Sequence, residues 1–188
     1  RLNHCDWRNW KQLAAEFEKL IASTQSSRSM CERSLLFHTL ALSLPPASRF
    51  ELARNIAASI SERVVAASRS AYKHTRINTG KIKIGYVSPD FRKHPTATLS
   101  RRLYALHDRS QFEVYGYSLH PDDGGTLRRD IEQGCDVFRE LSDLDDCTAA
   151  DMIYRDGVDI LIDLAGFTTH ARPEIFAKRP APLQLSYL

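Results

Sequence analysis

The chain has 188 residues, 43% of them hydrophobic and 26% charged, with a net charge of +3. That length suits one sizeable core plus an appendage. No block of Lys or Arg stands clear of neighbouring acids, which argues against nucleic acid as a partner, and no apolar run reaches the length of a membrane span.

The cysteines, Cys5, Cys31, Cys135 and Cys147, form no CxxC pair. Zinc spacing and a dense disulfide framework are both missing. They read as reduced thiols, so a reducing, cytoplasmic location is expected. The opening Arg1-Leu2-Asn3-His4 is not a signal peptide. It and the strand-like ending read as the bounds of a piece of a longer chain.

Residues 1–76 contain no glycine. Trp7, Trp10, Leu13, Ala14, Phe17, Leu20 and Ile21 recur at helical spacing. A second helix is expected over 30–43, ended by Pro45-Pro46. A third is expected over 48–73, with Phe50, Ala53, Ile56, Ala57, Ile60, Val64 and Val65 inward. No repeat is visible in this stretch.

From residue 77 onward strands and helices alternate. Strands are expected at 81–88, 112–118, 137–141, 158–164 and 183–187. Helices are expected at 95–107, 126–133, 148–155 and 173–178, with Gly157 stopping the third. The run VDILIDL at 158–164 is as apolar as a buried parallel strand. Such alternation predicts an α/β fold, a Rossmann-like parallel sheet with helices on both faces, preceded by an α-helical segment. The expected domains are a helical segment over 1–76 and a Rossmann-like lobe over 77–188, incomplete at its C-terminal end.

Ligands of open α/β sheets bind beyond the carboxyl ends of the strands, which selects three loops. The first, Pro89–His94, lacks the GxGxxG of a dinucleotide site. Pro95 suits the first turn of the next helix, leaving His94 at its N-terminus beside free backbone N–H groups. A neutral imidazole there is suited to general-base work, and the N–H groups could face a diphosphate. From spacing alone, His94 reads first as a capping or loop histidine. In the second loop, Asp122-Asp123-Gly124-Gly125 reads as a metal-binding pair or as a turn held by its own carboxylates. In the third, Gly166, Thr168 and Thr169 could line a ligand crevice, and Arg172 could pair a phosphate; otherwise the loop only leads into a helix. Asp151 stands three residues after Thr148, the spacing of a capping box, which gives it a structural reading of its own.

Several of these stretches resemble one family. The run IGYVSPDFRKHP at 84–95 is similar to the opening of the catalytic region of the O-linked N-acetylglucosamine transferase/SPINDLY family. So are FEVYGYS at 112–118 with Pro121-Asp122-Asp123, and Ala149-Ala150-Asp151 with Asp156-Gly157-Val158 and Ile160-Leu161-Ile162. The fourth block is Gly166-Phe167-Thr168 with Ala171-Arg172, Phe176-Ala177 and RPAPLQ at 179–184. Cys5-Asp6-Trp7 resembles the segment that joins the family's tetratricopeptide repeats to its catalytic region.

The resemblance implies the first lobe of a two-lobed GT-B glycosyltransferase that moves a sugar with inversion from a nucleotide-sugar to protein acceptors. The sugar expected is N-acetylglucosamine from UDP-N-acetylglucosamine, delivered to Ser or Thr. Transfer of glucose to Asn or of fucose to Ser/Thr is the alternative within the family, and a non-catalytic Rossmann-like scaffold the alternative outside it. It implies no cofactor and no metal, and a UDP-sugar held mainly by a second lobe. It implies acceptor proteins as partners, and upstream repeats that offer a route to oligomers. His94 matches the histidine discussed as catalytic in the family, and Asp151 an acidic position proposed for proton handling. Phe91, Pro95, Thr96, Gly166, Phe167 and Thr168 would line the substrate cleft. Tyr154 departs from the pattern: the animal enzymes carry a histidine there, so no role of that histidine transfers.

Overall fold

The computed structural model describes residues 8–23, 36–37, 39–42, 44–67, 71–75 and 80–187. The chain divides into two compact units, residues 1–63 with 167–169, and residues 64–166 with 170–188.

In the first unit, helix α1 spans Trp10–Ser23. Helix α2, Pro46–Ala67, lies in this unit as far as residue 63 and begins at the second proline of the pair expected only to break a helix. Proline is tolerated there because first-turn N–H groups have no intrahelical partner. Leu52, Ile56, Ile60 and Val64 are buried at every fourth position, the stripe that 3.6 residues per turn brings to one face. Phe50 and Val65, expected to point inward, are exposed. Helix α2 also stops short of residue 73, since 71–75 are not helical. Most of the helix expected over 30–43, and Cys5-Asp6-Trp7, lie outside the described residues.

The second unit is a five-stranded sheet. Its strands are β1 (Ile82–Ser88), β2 (Phe112–Ser118), β3 (Val137–Glu140), β4 (Ile160–Asp163) and β5 (Leu183–Ser186). Every pair is parallel and the order is β3-β2-β1-β4-β5. Successive residues of β1 point to opposite faces, and both faces are apolar. Ile84 and Tyr86 enter a core with Phe91, Ala97, Tyr104, Val114, Ile131 and Leu164. Val87 enters another with Tyr115, Tyr117, Ala149, Ala150, Ile153 and Ile175. Burial on both faces is what strands joined by helical crossovers require.

The connecting helices are α3 (Pro95–Ser100), α4 (Thr126–Gly134), α5 (Asp146–Asp156) and α6 (Pro173–Ala177). Helix α3 ends well before residue 107, and a 3-10 turn follows at Tyr104–Leu106. Two hydroxyls of this helix bond back to its own carbonyls. Thr98 Oγ1 donates to His94 O at 3.1 Å, and Ser100 Oγ donates to Thr96 O at 2.8 Å. Such bonds to the preceding turn slightly destabilise and bend a helix. Helix α5 starts earlier than expected because Asp145, not Thr148, caps it, accepting from Thr148 N at 2.8 Å. Gly157 closes the helix in the left-handed conformation, φ 70°, which glycine adopts without a Cβ penalty.

Candidate functional site

The chain crosses the sheet once. After β3 it returns to the far side of β1 to lay down β4. At such a switch point the loops leaving two adjacent strands diverge and open a crevice. Here those loops follow β1 and β4, and they carry His94 and Gly166.

The β1 loop is rigidly built. Phe91 is fully buried, edge-on to Tyr104 with ring centroids 5.6 Å apart. This corrects its expected place in the cleft lining, because an aromatic ring sealed in the core supports the loop from beneath. His94 caps α3, its Nδ1 accepting from Thr96 N at 3.3 Å. Asp90 Oδ2 lies 3.4 Å from the same Nδ1. The cap uses the Thr96 N–H that could have faced a diphosphate. His94 and Pro95 line an open cleft of about 560 Å³ together with Lys93, Thr98 and Leu99.

The β2 loop is tied to this one. Asp123 Oδ2 accepts from Lys93 N at 2.8 Å and its Oδ1 from Gly125 N at 2.9 Å. Those N–H groups, Lys93's first, hold the carboxyl below the usual carboxylate range. Asp122 accepts from Gly124 N at 2.8 Å. Both carboxylates therefore serve the turn. Among the described residues no group of three or more His, Cys, Asp or Glu could hold a metal ion.

Beneath both loops lies Arg128, a residue that motif reading passed over. It is 2% exposed. Nη1 donates to Ser118 Oγ at 2.6 Å and reaches Phe91 O and His120 O, each at 3.5 Å. Nη2 donates to Glu140 Oε2 at 2.9 Å, and the guanidinium lies 4.3 Å from the Phe138 ring centre. Its one sequence signal is position: it falls three residues before the buried Ile131, on the inward face of an amphipathic helix.

In the β4 loop, Asp163 Oδ1 accepts from Ala165 N at 2.8 Å and Gly166 N at 3.1 Å. Burial nevertheless pushes this carboxyl up. Gly166 has φ 55°; Phe167 is half-buried and Thr168 exposed. His170 has φ 67°, a conformation rare for a residue with a Cβ, and its ring stands edge-on to His120 at 6.5 Å. Arg172 is not available as a phosphate partner in the way its position suggested. Its Nε pairs with Asp146 Oδ1 at 2.6 Å, and its terminal nitrogens donate to Leu141 O at 2.9 Å and Leu144 O at 2.6 Å. It staples the loop between β3 and α5.

Asp151 sits inside α5 and accepts a hydrogen bond from the Tyr72 hydroxyl. Tyr72 stacks on Tyr154 with centroids 4.4 Å apart, and Tyr154 donates to Lys73 O at 2.9 Å. Among the described residues no hydrogen bond or ion pair joins Asp151 to His94. The structure thus gives Asp151 and Tyr154 a shared task, holding residues 72–73 against α5.

The model of Glycosyl transferase family 41 matches residues 4–188. The chain belongs to this family. Its family 41 relatives include a probable UDP-N-acetylglucosamine–peptide N-acetylglucosaminyltransferase, SEC, of Arabidopsis thaliana. The two are 32% identical over 194 residues, which is 98% of this chain and 19% of the relative. A UDP-N-acetylglucosamine–peptide N-acetylglucosaminyltransferase of Caenorhabditis elegans is 32% identical over 200 residues, 98% of this chain and 16% of the relative. Among solved structures, a mutant of the Thermobaculum terrenum O-GlcNAc transferase superposes with a TM-score of 0.78 at 25% identity, covering 95% of this chain and 34% of that one. The chain therefore spans less than a fifth of the length of these curated relatives. The family read from the four sequence blocks and the parallel α/β sheet are both borne out.

Proposed function

We propose that this chain forms part of the catalytic region of a protein glycosyltransferase, which moves N-acetylglucosamine from UDP-N-acetylglucosamine to Ser or Thr of acceptor proteins. The observation that carries the reading is the family 41 match over residues 4–188, within which His94 borders an open cleft with Lys93, Pro95, Thr98 and Leu99. The names of the relatives support the donor and the peptide acceptor.

The activity belongs to the full-length protein. In an inverting transfer the acceptor O–H bond breaks and its oxygen bonds the anomeric carbon. The bond from that carbon to the diphosphate breaks on the opposite side, and the electron pair leaves on the diphosphate. The hydroxyl proton needs an acceptor, and we assign it to the His94 imidazole. Holding the hydroxyl in line supplies much of the rate, and a positioned base contributes about 10²–10⁴-fold. Gly166, in the loop after β4, the strand beside β1, is assigned to substrate contact.

The test offers the full-length protein UDP-N-acetylglucosamine, UDP-glucose or GDP-fucose with a mixed peptide pool. Transfer is expected from UDP-N-acetylglucosamine, falling by about 10²-fold or more in His94→Ala. Transfer from another donor alone would replace the sugar assignment. No transfer from any donor by folded protein would favour a non-catalytic binding module.

A further inference from the structure

The Nδ1 atom of His94 faces two partners that it cannot serve at once. Thr96 N–H, at 3.3 Å, needs a lone pair there. The Asp90 carboxylate, with Oδ2 at 3.4 Å, needs a proton there. A neutral imidazole carries its proton on one ring nitrogen only. In the capping form the proton is on Nε2, and the ring can only donate toward the cleft. In the Asp90-paired form Nδ1–H donates to the carboxylate, and Nε2 presents a lone pair.

Only the second form leaves Nε2 a base, and Asp90 lies within ion-pair distance of Nδ1 to support it. Asp90 is held through its backbone and through one carboxylate oxygen. Its side chain is 8% exposed, and its backbone N–H donates to Ser88 Oγ at 3.0 Å. Oδ1 faces Arg92 Nη2 at 3.4 Å, and Arg92 is anchored in turn through Nε to Pro89 O at 3.2 Å. Oδ2 is left for His94. The His94 side chain is 36% exposed and borders the cleft. Among the described residues its Nε2 has no hydrogen-bond partner.

We propose that Asp90 is the positioning residue that makes His94 a proton acceptor, by holding the proton of the neutral ring on Nδ1 and then stabilising the imidazolium that forms when Nε2 takes the acceptor's proton. This rests on the transferase reading above for the identity of the proton donor. The pairing itself does not depend on that reading. Carboxylate–imidazole pairs elsewhere fix the tautomer in this way, and replacing the carboxylate by an amide leaves the geometry but selects the wrong one.

The test uses the full-length protein, wild type and Asp90→Asn, and two readouts. The first is the rate at which diethyl pyrocarbonate acylates His94, followed by mass spectrometry of its peptide at pH 7.5. The reagent attacks the ring nitrogen that carries a lone pair. The Asp90-paired form predicts that wild-type His94 reacts at least as fast as the same histidine in a free peptide covering residues 88–100. It also predicts that Asp90→Asn slows the reaction by about fivefold or more, while His120 and His170 keep their rates. The second readout is transfer. In Asp90→Asn, kcat is expected to fall by about tenfold or more with the donor KM within about twofold, and the double variant with His94→Ala to be no slower than His94→Ala alone.

Wild-type His94 reacting about tenfold slower than the free peptide would show that the capping form dominates and overturn the proposal, even if Asp90→Asn does not fold. Equal His94 rates in wild type and a folded Asp90→Asn would overturn it too, as would losses that add in the double variant. If the wild type transfers no sugar, the transferase reading fails, and the acylation rates alone decide the pairing.

Discussion

Arg128 shows how one side chain can set the shape of a site it does not line. Its guanidinium is buried, yet it serves Ser118, Glu140 and the carbonyls of Phe91 and His120. It therefore ties the loop after β1 to the loop after β2 from below. Arg128→Met keeps much of the apolar bulk but removes every donor. It is expected to cost about 2–4 kcal/mol, because buried acceptors lose their partners. Urea unfolding of wild type and variant measures the difference. Arg128→Lys is expected to recover little of it, since one ammonium cannot reproduce a planar fork of donors. Little of this could be read from residue identities. The partners lie 8 to 37 residues away in sequence, and two of them are backbone carbonyls, which carry no residue signature. Asp151 was opaque for the same reason. Its partner, Tyr72, is 79 residues upstream, so neither the capping-box spacing nor a family motif announces the contact.

At the scale of elements, Asp123 is the tie between two loops. Its carboxyl is held below the ordinary range by the Lys93 and Gly125 N–H groups, so the folded loops favour the charged form. The stabilisation is complete above the unfolded carboxyl's pKa of about 4. It is lost as pH falls through the lower folded value. Acidification below about pH 4 is therefore expected to release the Lys93 amide before the strands open. Hydrogen exchange, corrected for its intrinsic pH dependence, should show protection at Lys93 falling while that of β1 and β2 persists. Unchanged protection at Lys93 would mean that the tie is not electrostatic.

The elements themselves were legible to different degrees. Strands β1 and β4 announce themselves through Ile, Val and Leu, and β2 through Phe, Val and Tyr, because a strand buried on both faces favours apolar side chains. Helix ends were harder, because they depend on single hydrogen bonds. Thr98 and Ser100 bond backward within α3, and nothing in the apolar spacing of 95–107 marks where the helix ends. Asp145 rather than Thr148 starts α5, since both residue types cap and only the backbone path decides. Of the site, the loops were legible from strand order alone. The burial of Phe91 was not, because whether an aromatic on a loop points in or out depends on the ring it meets, here Tyr104.

For the whole molecule, the sheet order places β1 at the centre and leaves β5 at one edge. Leu183, Leu185 and Tyr187, alternate residues of that edge, are about half exposed, at 50%, 48% and 62%. An apolar row beside unpaired backbone groups is a template for association. The 188-residue chain by itself is expected to associate as its concentration rises, and Leu185→Lys to reduce this by adding a charge at the edge. Sedimentation velocity across a concentration series measures both. A chain that stays monomeric throughout would show that the edge is already protected.

The single crossing of the sheet also bears on the order in which the chain can be assembled during synthesis. Strands β1, β2 and β3 are laid down in sequence and can pair as they emerge, each beside the last. The other edge of β1 must wait for residues 160–163, more than seventy residues after β1 itself. Until then the central strand of the lobe has one flank without a partner. The nascent chain therefore passes through a stage in which its future centre is an open border, and the arrival of β4 ends that stage at the same moment that it opens the crevice.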